Sequence, residues 1–336
     1  MANIKVLWTH NFDPDIKNSG NFMHQFAANM DYFGVDLQLF YTGPLYNIKN
    51  VYKVRDEIAS LSWKFDIVHA QFGSACSIVT AGAKVKKIVS LRGSDWYKYK
   101  GSTAWGSLHS LFATLMTRIA IRHYDAVITM SQRMSNEVKQ KFPGAAVYTI
   151  PDPINLRKFR PIDKYYARKK LFGTNNLGVW VLFTTMSTTN PIKRVRLAKK
   201  AVKIASKVLN NIELKVASGI SHKLMPLFVS SCDVALLTST HEGWPNSIKE
   251  ALACNVPFVA TDVSDLAKIA ETETSCRISD PDPDVIAANL CKTLGHHRNF
   301  NLRPHVESMR METACERLSL VYKKTLNKDQ NNATLM

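Results

Sequence analysis

Short apolar runs alternate with longer amphipathic stretches along the first half of the chain. The apolar runs are rich in β-branched residues and predict six buried strands, namely IKVLW, VDLQLFY, FDIVHA, KKIVSL, YDAVITM and AVYTI. Between them lie patterns typical of helices: FMHQFAANMDYF, YKVRDEIASL, SLHSLFATLMTRIAIRH and QRMSNEVKQKF. Strands and helices that alternate at this length indicate an α/β fold, with a parallel sheet covered by helices on both faces.

The alternation stops at PDPINLRKFRPID, where three prolines and a lack of periodicity predict a linker. It then resumes with strand patterns in VWVLFTTM, IELKVA, DVALLTS and VPFVAT and helix patterns in KRVRLAKKAVKIASKVL, SIKEALAC and DPDVIAANLCKTL. HVESMRMETACERLSLVYKKTL predicts one last amphipathic helix. We therefore expect a domain at 1–150, a linker at 151–163, a second domain at 164–300, a closing helix at 301–326 and a frayed tail at 327–336.

Composition agrees with two soluble globular domains. The chain has 336 residues, of which 46% are hydrophobic and 21% charged. No apolar run reaches the roughly 18 to 20 residues that a membrane-spanning helix needs, and the first residues, MANIKVLWTHNFDPD, lack the apolar region of a signal peptide. Six cysteines are scattered without a CxxC spacing, and no HExxH pair occurs. We expect a cytoplasmic protein with reduced core thiols and no metal site.

The formal net charge of +17 is the unusual feature of the composition. Residues 84–141 hold 11 basic and 3 acidic side chains, a net charge of +8. The same segment carries four aromatic residues near Lys98 and Lys100: Trp96, Tyr97, Tyr99 and Trp105. Nucleic acid, an anionic membrane surface and phosphate-bearing substrates all fit such a charge.

The stretch DVALLTSTHEGWPNSIKEALAC carries the clearest chemistry. A strand ends near Ser239, a loop follows with Glu242 and Gly243, and a helix begins near Asn246–Ser247, either of which could cap it. A helix start offers backbone N–H groups to a diphosphate, and carboxylates bind the vicinal hydroxyls of sugars. Taken alone, Glu242 could equally be a solvated loop acid, and Glu250 an acid favoured by the helix dipole.

This stretch closely resembles the E-x7-E signature of the retaining glycosyltransferase family 4, which has the GT-B fold. The resemblance implies two Rossmann-like, doubly wound domains facing each other across a cleft. It implies that Glu242 contacts the donor sugar and takes part in catalysis, and that Glu250 binds the ribose of the nucleotide. The residues that match are Glu242-Gly243, Pro245-Asn246-Ser247, Glu250-Ala251, Ala253-Cys254, Pro257 and Thr261-Asp262. Gly243, Asn246 and Ser247 are accordingly expected at the donor.

Other positions match the family less completely. Lys193 matches a lysine that stabilises the leaving diphosphate, whereas the preceding family arginine is replaced by Met186, and Arg194 is a candidate to substitute for it. Gly20 stands where the family often has a glycine-rich turn near the donor phosphate. Ser264-Asp265 stands where many members have Gly-Gly or Gly-Asp.

Three residues of the first half are candidates for the sugar and acceptor side. In SLRGSDW, Arg92 takes the place of a family histidine and Asp95 matches a family aspartate; the alternative is a turn with a local ion pair. His69 ends the third predicted strand and is equally a candidate for a satisfied core histidine. Asp152-Pro153 occupies the place of the family's Asn-Gly.

The resemblance predicts a metal-independent, retaining transfer from a nucleotide sugar to a glycan or a lipid-linked glycan, on an anionic membrane surface and in surface polysaccharide assembly. No cofactor beyond the nucleotide-sugar substrate is expected, and the donor base could be that of UDP, GDP or ADP. Two alternatives remain at this point. One is a sugar-nucleotide epimerase on the same fold, and the other is a nucleic-acid-binding protein, although no RNP, KH or zinc-finger pattern is present.

Overall fold

The structure, a computed structural model, describes residues 3–16, 19–101, 103–295 and 300–333. The chain forms two compact units. The first comprises Met1–Pro153 together with Met311–Met336, and the second comprises Ile154–Arg310. The division falls within the segment predicted as a linker, so that residues 154–163 count with the second unit.

The first unit is built on a six-stranded parallel sheet with the order β2-β1-β3-β4-β5-β6. The strands are β1 (Ile4–His10), β2 (Val35–Tyr41), β3 (Ile67–Ala70), β4 (Lys86–Leu91), β5 (Ala126–Thr129) and β6 (Val147–Thr149). All six were predicted. The helices between them are α1 (Asn21–Ala27), α2 (Ile48–Ser62), α3 (Ser74–Thr80), α4 (Ala104–Ala120) and α5 (Gln132–Lys141). Of these, α3 was not predicted, because SACSIVT is seven residues long and mostly small.

The second unit contains a five-stranded parallel sheet with the order β11-β10-β9-β7-β8. Its strands are β7 (Val179–Thr184), β8 (Ile212–Ala217), β9 (Val234–Leu237), β10 (Phe258–Thr261) and β11 (Arg277–Ser279). Its helices are α6 (Lys164–Phe172), α7 (Val195–Ala205), α8 (Met225–Ser230), α9 (Asn246–Ala253), α10 (Leu266–Thr272), α11 (Pro283–Leu294) and α12 (Pro304–Glu307). The strand β11 was missed, since three residues give no periodicity.

The central strands of the second sheet set the position of the candidate site. All four residues of β9 are buried, and so are the four middle residues of β7. They pack with the inner face of α7, which contributes Val195, Ala198, Ala201, Val202 and Ala205 to one apolar cluster. Because β7 and β9 are neighbours and parallel, their carboxyl ends meet at one edge of the sheet.

The last part of the chain differs from the predicted closing helix. Instead of one helix over 301–326, α12 ends at Glu307 and a new helix, α13, runs over Met311–Ala333. The break coincides with a crossing of the chain, where the N–H of Ile154 donates to the carbonyl of Met309 at 2.9 Å and Ile154 pairs with Arg310. The helix α13 counts with the first unit. It continues into the stretch predicted to be a frayed tail, whose last three residues lie outside the described part.

All six cysteines are free thiols, and five of them are buried. Burial raises the pKa of the Cys76 thiol to about 12, and the same cause acts on Cys232 and Cys254. None of the helices within the described ranges is both long and apolar enough to span a membrane.

Candidate functional site

Two loops are joined at the carboxyl ends of β7 and β9. The N–H of Thr240 donates to the carbonyl of Ile192 at 2.9 Å. The hydroxyl of Thr238 lies 2.6 Å from the carbonyl of Lys193 and 3.2 Å from that of Arg194. The turn before α7 is thereby fixed to the end of β9, and Lys193 is held beside the loop that carries Glu242.

Arg194 completes this junction from the other side. Its Nε donates to the carbonyl of Thr238, and its Nη2 donates to that of Ser239 at 2.9 Å. Burial lowers the pKa of the guanidinium, and the residue has a left-handed backbone with φ of 50° at the start of α7. We predicted that Arg194 replaces the family arginine at the leaving diphosphate. Its contacts to two carbonyls anchor α7 to the end of β9, and its role at the diphosphate stays a prediction. Met186, at the family position, is 69% exposed.

Lys193 and Glu242 form an ion pair at this edge. Lys193 Nζ lies 2.6 Å from Glu242 Oε1, and the two side chains are 23% and 17% exposed. A cation for a phosphate and a carboxylate for sugar hydroxyls are thus brought together although 49 positions separate them. The adjacent His241 has a lowered pKa because it is largely buried; Glu242 opposes this shift and Lys193 adds to it.

The helix α9 begins at Asn246, so that Asn246 and Ser247 both lie inside it. The N-cap is Pro245, and no side chain caps the helix, so the prediction that Asn246 or Ser247 is the cap was wrong. The first helical hydrogen bonds run from the N–H groups of Ile248 and Lys249 to the carbonyl of Pro245. The backbone of Asn246 and Ser247 therefore occupies the first turn, where N–H groups favour an anion.

Gly243 is bound by Ser264, which lies in the loop after β10. Its carbonyl accepts a hydrogen bond from Ser264 Oγ at 2.7 Å, and Ser264 itself is buried. Ser264 has a φ of 57°, in the left-handed region that favours glycine. This backbone conformation suits the glycine that many members of the similar family have at this position. In this chain the serine adopts it, and its hydroxyl binds the carbonyl of Gly243.

Glu250 lies in the second turn of α9 next to residues that sequence reasoning missed. Its Oε1 is 3.8 Å from His222 Nε2, and Lys158 Nζ is 2.5 Å from His222 Nδ1. The His222 ring packs edge-on against Phe159 at 5.4 Å. Burial lowers the pKa of Lys158, and Glu250 opposes the shift. Only the polar character of SHK, following β8, could have singled out His222, because the three residues come from distant segments.

In the first unit, Gly20 meets a strict backbone requirement. It has a φ of 65° before α1, and a Cβ there would lie 2.9 Å from Phe12 Cβ. Only glycine fits this turn. The role proposed for it at the donor stays a prediction.

Arg92 is engaged on all sides of its guanidinium. Nε donates to the carbonyl of Gln71 at 2.6 Å, Nη2 to Gln71 Oε1 at 2.7 Å, and Nη1 to Asp152 Oδ1. The guanidinium also covers the Phe22 ring at 4.4 Å. Arg92 and Asp152 are the positions where the chain has Arg for a family histidine and Asp for a family asparagine. The two departures form one ion pair, so each explains the other.

Asp95, predicted on the sugar and acceptor side, is held by backbone N–H groups, and its role there stays a prediction. The residue is fully buried, and its carboxylate accepts hydrogen bonds from the backbone N–H groups of Gly73, Arg92 and Gly93 at 2.8 to 3.2 Å. Burial raises its pKa, while these N–H groups oppose the shift. Asp95 therefore positions the turns after β3 and β4.

His69 is the satisfied core histidine that the sequence left open. It is buried, its Nδ1 lies 2.7 Å from the Tyr322 hydroxyl, and its Nε2 lies 2.9 Å from Ser90 Oγ. Trp8 Nε1 donates to the same tyrosine hydroxyl at 2.7 Å. Burial holds the pKa of His69 well below its usual range. The residue ties α13 to the sheet, and a role on the sugar side stays a prediction.

The basic, aromatic segment divides into buried and exposed parts. Trp96 is 4% exposed, belongs to an apolar cluster, and donates to Glu137 Oε2 at 2.8 Å. Tyr97 and Tyr99 are half-buried, whereas Lys98 and Lys100 are exposed. Trp105 is 76% exposed. Of these four aromatic residues, only Trp105 is thus largely exposed.

Two family models match the chain. Residues 6–158 match Glycosyltransferase Family 4, and residues 189–296 match Glycosyl transferases group 1. A curated relative is the Bacillus subtilis (strain 168) protein TuaC, named as a teichuronic acid biosynthesis glycosyltransferase, with 25% identity over 221 residues. The match covers 61% of this chain and 55% of TuaC, so the chain spans about half the length of that relative.

Solved structures show the same fold across nearly the whole chain. Sucrose-phosphate synthase from Thermosynechococcus elongatus has a TM-score of 0.77 at 14% identity, covering 96% of this chain and 99% of the other. HepE from Anabaena, in complex with UDP and glucose, has a TM-score of 0.69 at 16% identity, covering 96% and 100%. With both units matched by family models and the fold by these neighbours, the chain belongs with the family 4-like glycosyltransferases of the GT-B fold.

Proposed function

We propose that this chain transfers a sugar, with retention of anomeric configuration, from a nucleotide diphosphate sugar to a glycan or lipid-linked glycan acceptor. The observation that carries the proposal is the Lys193–Glu242 pair beside the start of α9. A cation, a first helical turn and a carboxylate at one sheet edge suit a sugar diphosphate. In this proposal Glu250, in the next turn of the same helix, binds the ribose hydroxyls.

The proposed reaction gives each of these groups a role. The bond between the anomeric carbon and the diphosphate oxygen breaks while the acceptor hydroxyl oxygen bonds to the same face of the sugar. The acceptor proton passes to the departing phosphate oxygen. Lys193 and the N–H groups of Asn246 and Ser247 stabilise the negative charge that develops on the diphosphate, and Glu242 orients the sugar and supports positive charge at the anomeric carbon. In this proposal Lys193 exchanges Glu242 for the donor phosphate when the donor binds.

The acceptor and the location are proposed from charge and from relatives. TuaC is named for teichuronic acid biosynthesis, and a further structural neighbour is a lipopolysaccharide outer core galactosyltransferase. We place this chain in surface polysaccharide assembly, in the cytoplasm and peripheral to the inner face of the membrane. The net +8 of residues 84–141 supports an anionic surface as partner, and nothing in the motifs supports nucleic acid.

The direct test is transfer. UDP-, GDP- and ADP-sugars are first screened for thermal stabilisation of the protein, with UDP-glucose included because HepE is complexed with UDP and glucose. The stabilising donor is then incubated with membrane extracts, and the anomeric configuration of the product is read by NMR. A retained configuration supports the proposal. Conversion of the donor into an epimer without transfer contradicts it, as does binding of oligonucleotides without binding of any nucleotide sugar.

The proposed charge stabilisation uses Lys193 and a helix start, so we expect no requirement for a divalent cation. No cluster of metal-binding side chains occurs in the described ranges of the chain. Initial rates with and without a chelator should agree within about a factor of two. Loss of activity that manganese or magnesium restores would overturn this part of the proposal.

A further inference from the structure

The helix α4 has its large apolar side chains on the outside. Residues at positions 105, 108, 112, 115 and 119 recur at intervals of three and four, so they form one stripe along the helix. Leu111 lies beside these five residues, and we count it with them as the stripe. The six side chains are 45 to 76% exposed: Trp105, Leu108, Leu111, Phe112, Leu115 and Ile119. In α4, His109 is the only exposed polar residue.

The face of α4 that packs on the protein is made of small, hydroxyl-bearing residues. Ser110, Thr114 and Thr117 are 0 to 1% exposed, and Ala120 is also buried. Their hydroxyls are satisfied within the fold: Thr117 Oγ1 accepts from the N–H of Ser74 at 2.6 Å, and Ser110 Oγ accepts from the N–H of Tyr99 at 3.0 Å. This helix therefore inverts the arrangement of an ordinary surface helix, which buries its apolar face.

The ends of the stripe carry positive charge. Lys98 and Lys100 precede α4, Arg122 follows it, and all three are exposed. No acidic residue occurs from Trp96 to Tyr124. A soluble surface helix normally mixes both signs of charge, whereas this one combines an apolar face with flanking cations only.

We propose that α4 lies in the interface of an anionic bilayer, with the stripe in the acyl boundary and the flanking cations at the phosphate level. This inference rests on the membrane location proposed above and names the element that enters the lipid. Amphipathic helices with basic flanks and Trp, Phe and Leu on one face bind membranes in this way. Trp105 stands at the beginning of the helix, where an indole prefers the headgroup level.

A second copy of the chain is a less suitable occupant. The stripe from position 105 to 119 is about 21 Å long and a helix is about 10 Å wide, which gives roughly 200 Å² of contact. A stable interface buries about 800 Å² per partner. Two copies would also bring cations against cations, whereas an anionic lipid surface complements them.

The test uses exposed residues, so that the fold is retained. Leu108→Ser/Leu115→Ser removes two members of the stripe, and Ile48→Ser/Tyr52→Ser on α2, which are 69% and 59% exposed, is the matched control. Flotation with vesicles of phosphatidylglycerol and phosphatidylcholine should show the stripe variant bound roughly tenfold or more weakly than wild type, since two leucines no longer bury apolar surface in the lipid. The α2 control should bind like wild type.

Salt and fluorescence separate insertion from attraction by charge. High salt should release only part of the wild type, because apolar burial is not screened. The emission of Trp105, taken as the difference between wild type and Trp105→Phe, should shift to the blue on anionic vesicles.

Equal binding of wild type and stripe variant, or an unshifted Trp105 emission, would overturn the inference. A dimer that the stripe variant abolishes would also overturn it and assign the face to a second copy. Thermal stabilisation by nucleotide sugars is measured on the same samples; its absence would contradict the glycosyltransferase proposal while leaving the vesicle result to decide the role of α4.

Discussion

The Lys193–Glu242 pair shows how one contact constrains the chemistry of a site. At 2.6 Å the two charges neutralise each other, and both side chains keep about a fifth of their surface exposed. Because both side chains still reach solvent, a donor that brings a diphosphate and a sugar can offer each of them a new partner. Glu250, by contrast, lies near His222 in a separate contact.

Substitution of the two glutamates should separate their roles. Glu242→Ala should lower kcat on the order of 100-fold, because a preorganised charge at the reacting sugar acts mainly in the transition state. Glu250→Ala should mainly raise KM for the donor, because a ribose contact is felt equally in the ground and transition states. Steady-state kinetics measure both. Glu213→Ala removes another lysine-paired glutamate, 54% exposed on β8, and should behave like wild type; equal, near-wild-type kinetics for the two site variants would refute the assignment.

The Arg92–Asp152 pair gives a prediction about stability. Each side chain is nearly buried, at 9% and 12% exposed. Arg92→His or Asp152→Asn alone should lower the free energy of unfolding by about 3 kcal/mol, because each leaves the other charge without its partner in a low-dielectric setting. The double variant, which leaves neither charge without its partner, should lose less than the sum of the two. Urea denaturation measures this coupling, and strictly additive losses would show that the two departures are independent.

At the scale of elements, the junction between α7 and β9 controls where Lys193 lies. Thr238→Val keeps the shape of the side chain and removes the hydroxyl that reaches the carbonyls of Lys193 and Arg194. We expect a loss of about 1–3 kcal/mol in the free energy of unfolding, together with a roughly tenfold or larger decrease in kcat, because a displaced lysine fits the diphosphate poorly.

Thr261→Val is the matched control for this prediction. Thr261 Oγ1 donates to the carbonyl of Ser239 at 2.6 Å, just beyond β9. That carbonyl also accepts from Arg194 Nη2, but Thr261→Val leaves in place the bonds from Thr238 to the carbonyls of Lys193 and Arg194. Loss of the Thr261 hydroxyl should destabilise the second unit by a similar amount and leave kcat close to wild type. If both variants lose activity equally, the junction acts through stability alone.

The sequence predicted elements better than it predicted what their side chains do. Strands of five to seven apolar residues were found because period and length are local properties, and β11, with three residues, was missed for the same reason. His69, Asp95 and Trp96 look polar or interfacial in the sequence but are buried in the first unit. Their partners, including Tyr322 and Glu137, come from distant segments, so no local pattern could show that they were satisfied.

The helix α4 illustrates the same limit from the opposite direction. Its periodicity predicted a helix over SLHSLFATLMTRIAIRH but not which face would be buried. A pattern of large apolar residues normally marks the inner face. Here Gly73, Thr117 and Asp95 pack so closely that a Cβ on Gly73 would lie 2.5 Å from Thr117 Oγ1, and only small residues fit against the turn after β3. The inward face is set by this tertiary contact.

At the scale of the whole molecule, the net charge of +17 includes basic residues at two separable places. One part lies on the exposed residues around α4, and another lies on α7, whose outer face carries Lys199 and Lys203. A general basic surface favours solubility and weak attraction to any anion, whereas a local one selects an orientation on a membrane. The two can be distinguished only by changing charge at one place and not the other.

Lys98→Glu/Lys100→Glu should therefore weaken binding to anionic vesicles far more than Lys199→Glu/Lys203→Glu, although both change the net charge by the same amount. Each basic residue near anionic lipid contributes about 1 kcal/mol, so reversal of two charges at the surface should reduce the bound fraction at low salt by more than roughly tenfold. The difference between the variants should shrink at high salt as screening grows.

Flotation at two ionic strengths measures this difference. Thermal stabilisation by the donor should be unchanged in the first variant, because the donor binds through the second unit in our proposal. Equal losses in the two variants would mean that the protein responds to total charge and has no membrane-facing side. Wild type that ignores anionic vesicles at low salt would remove the membrane from the proposed function, while the transfer reaction would stand on its own assay.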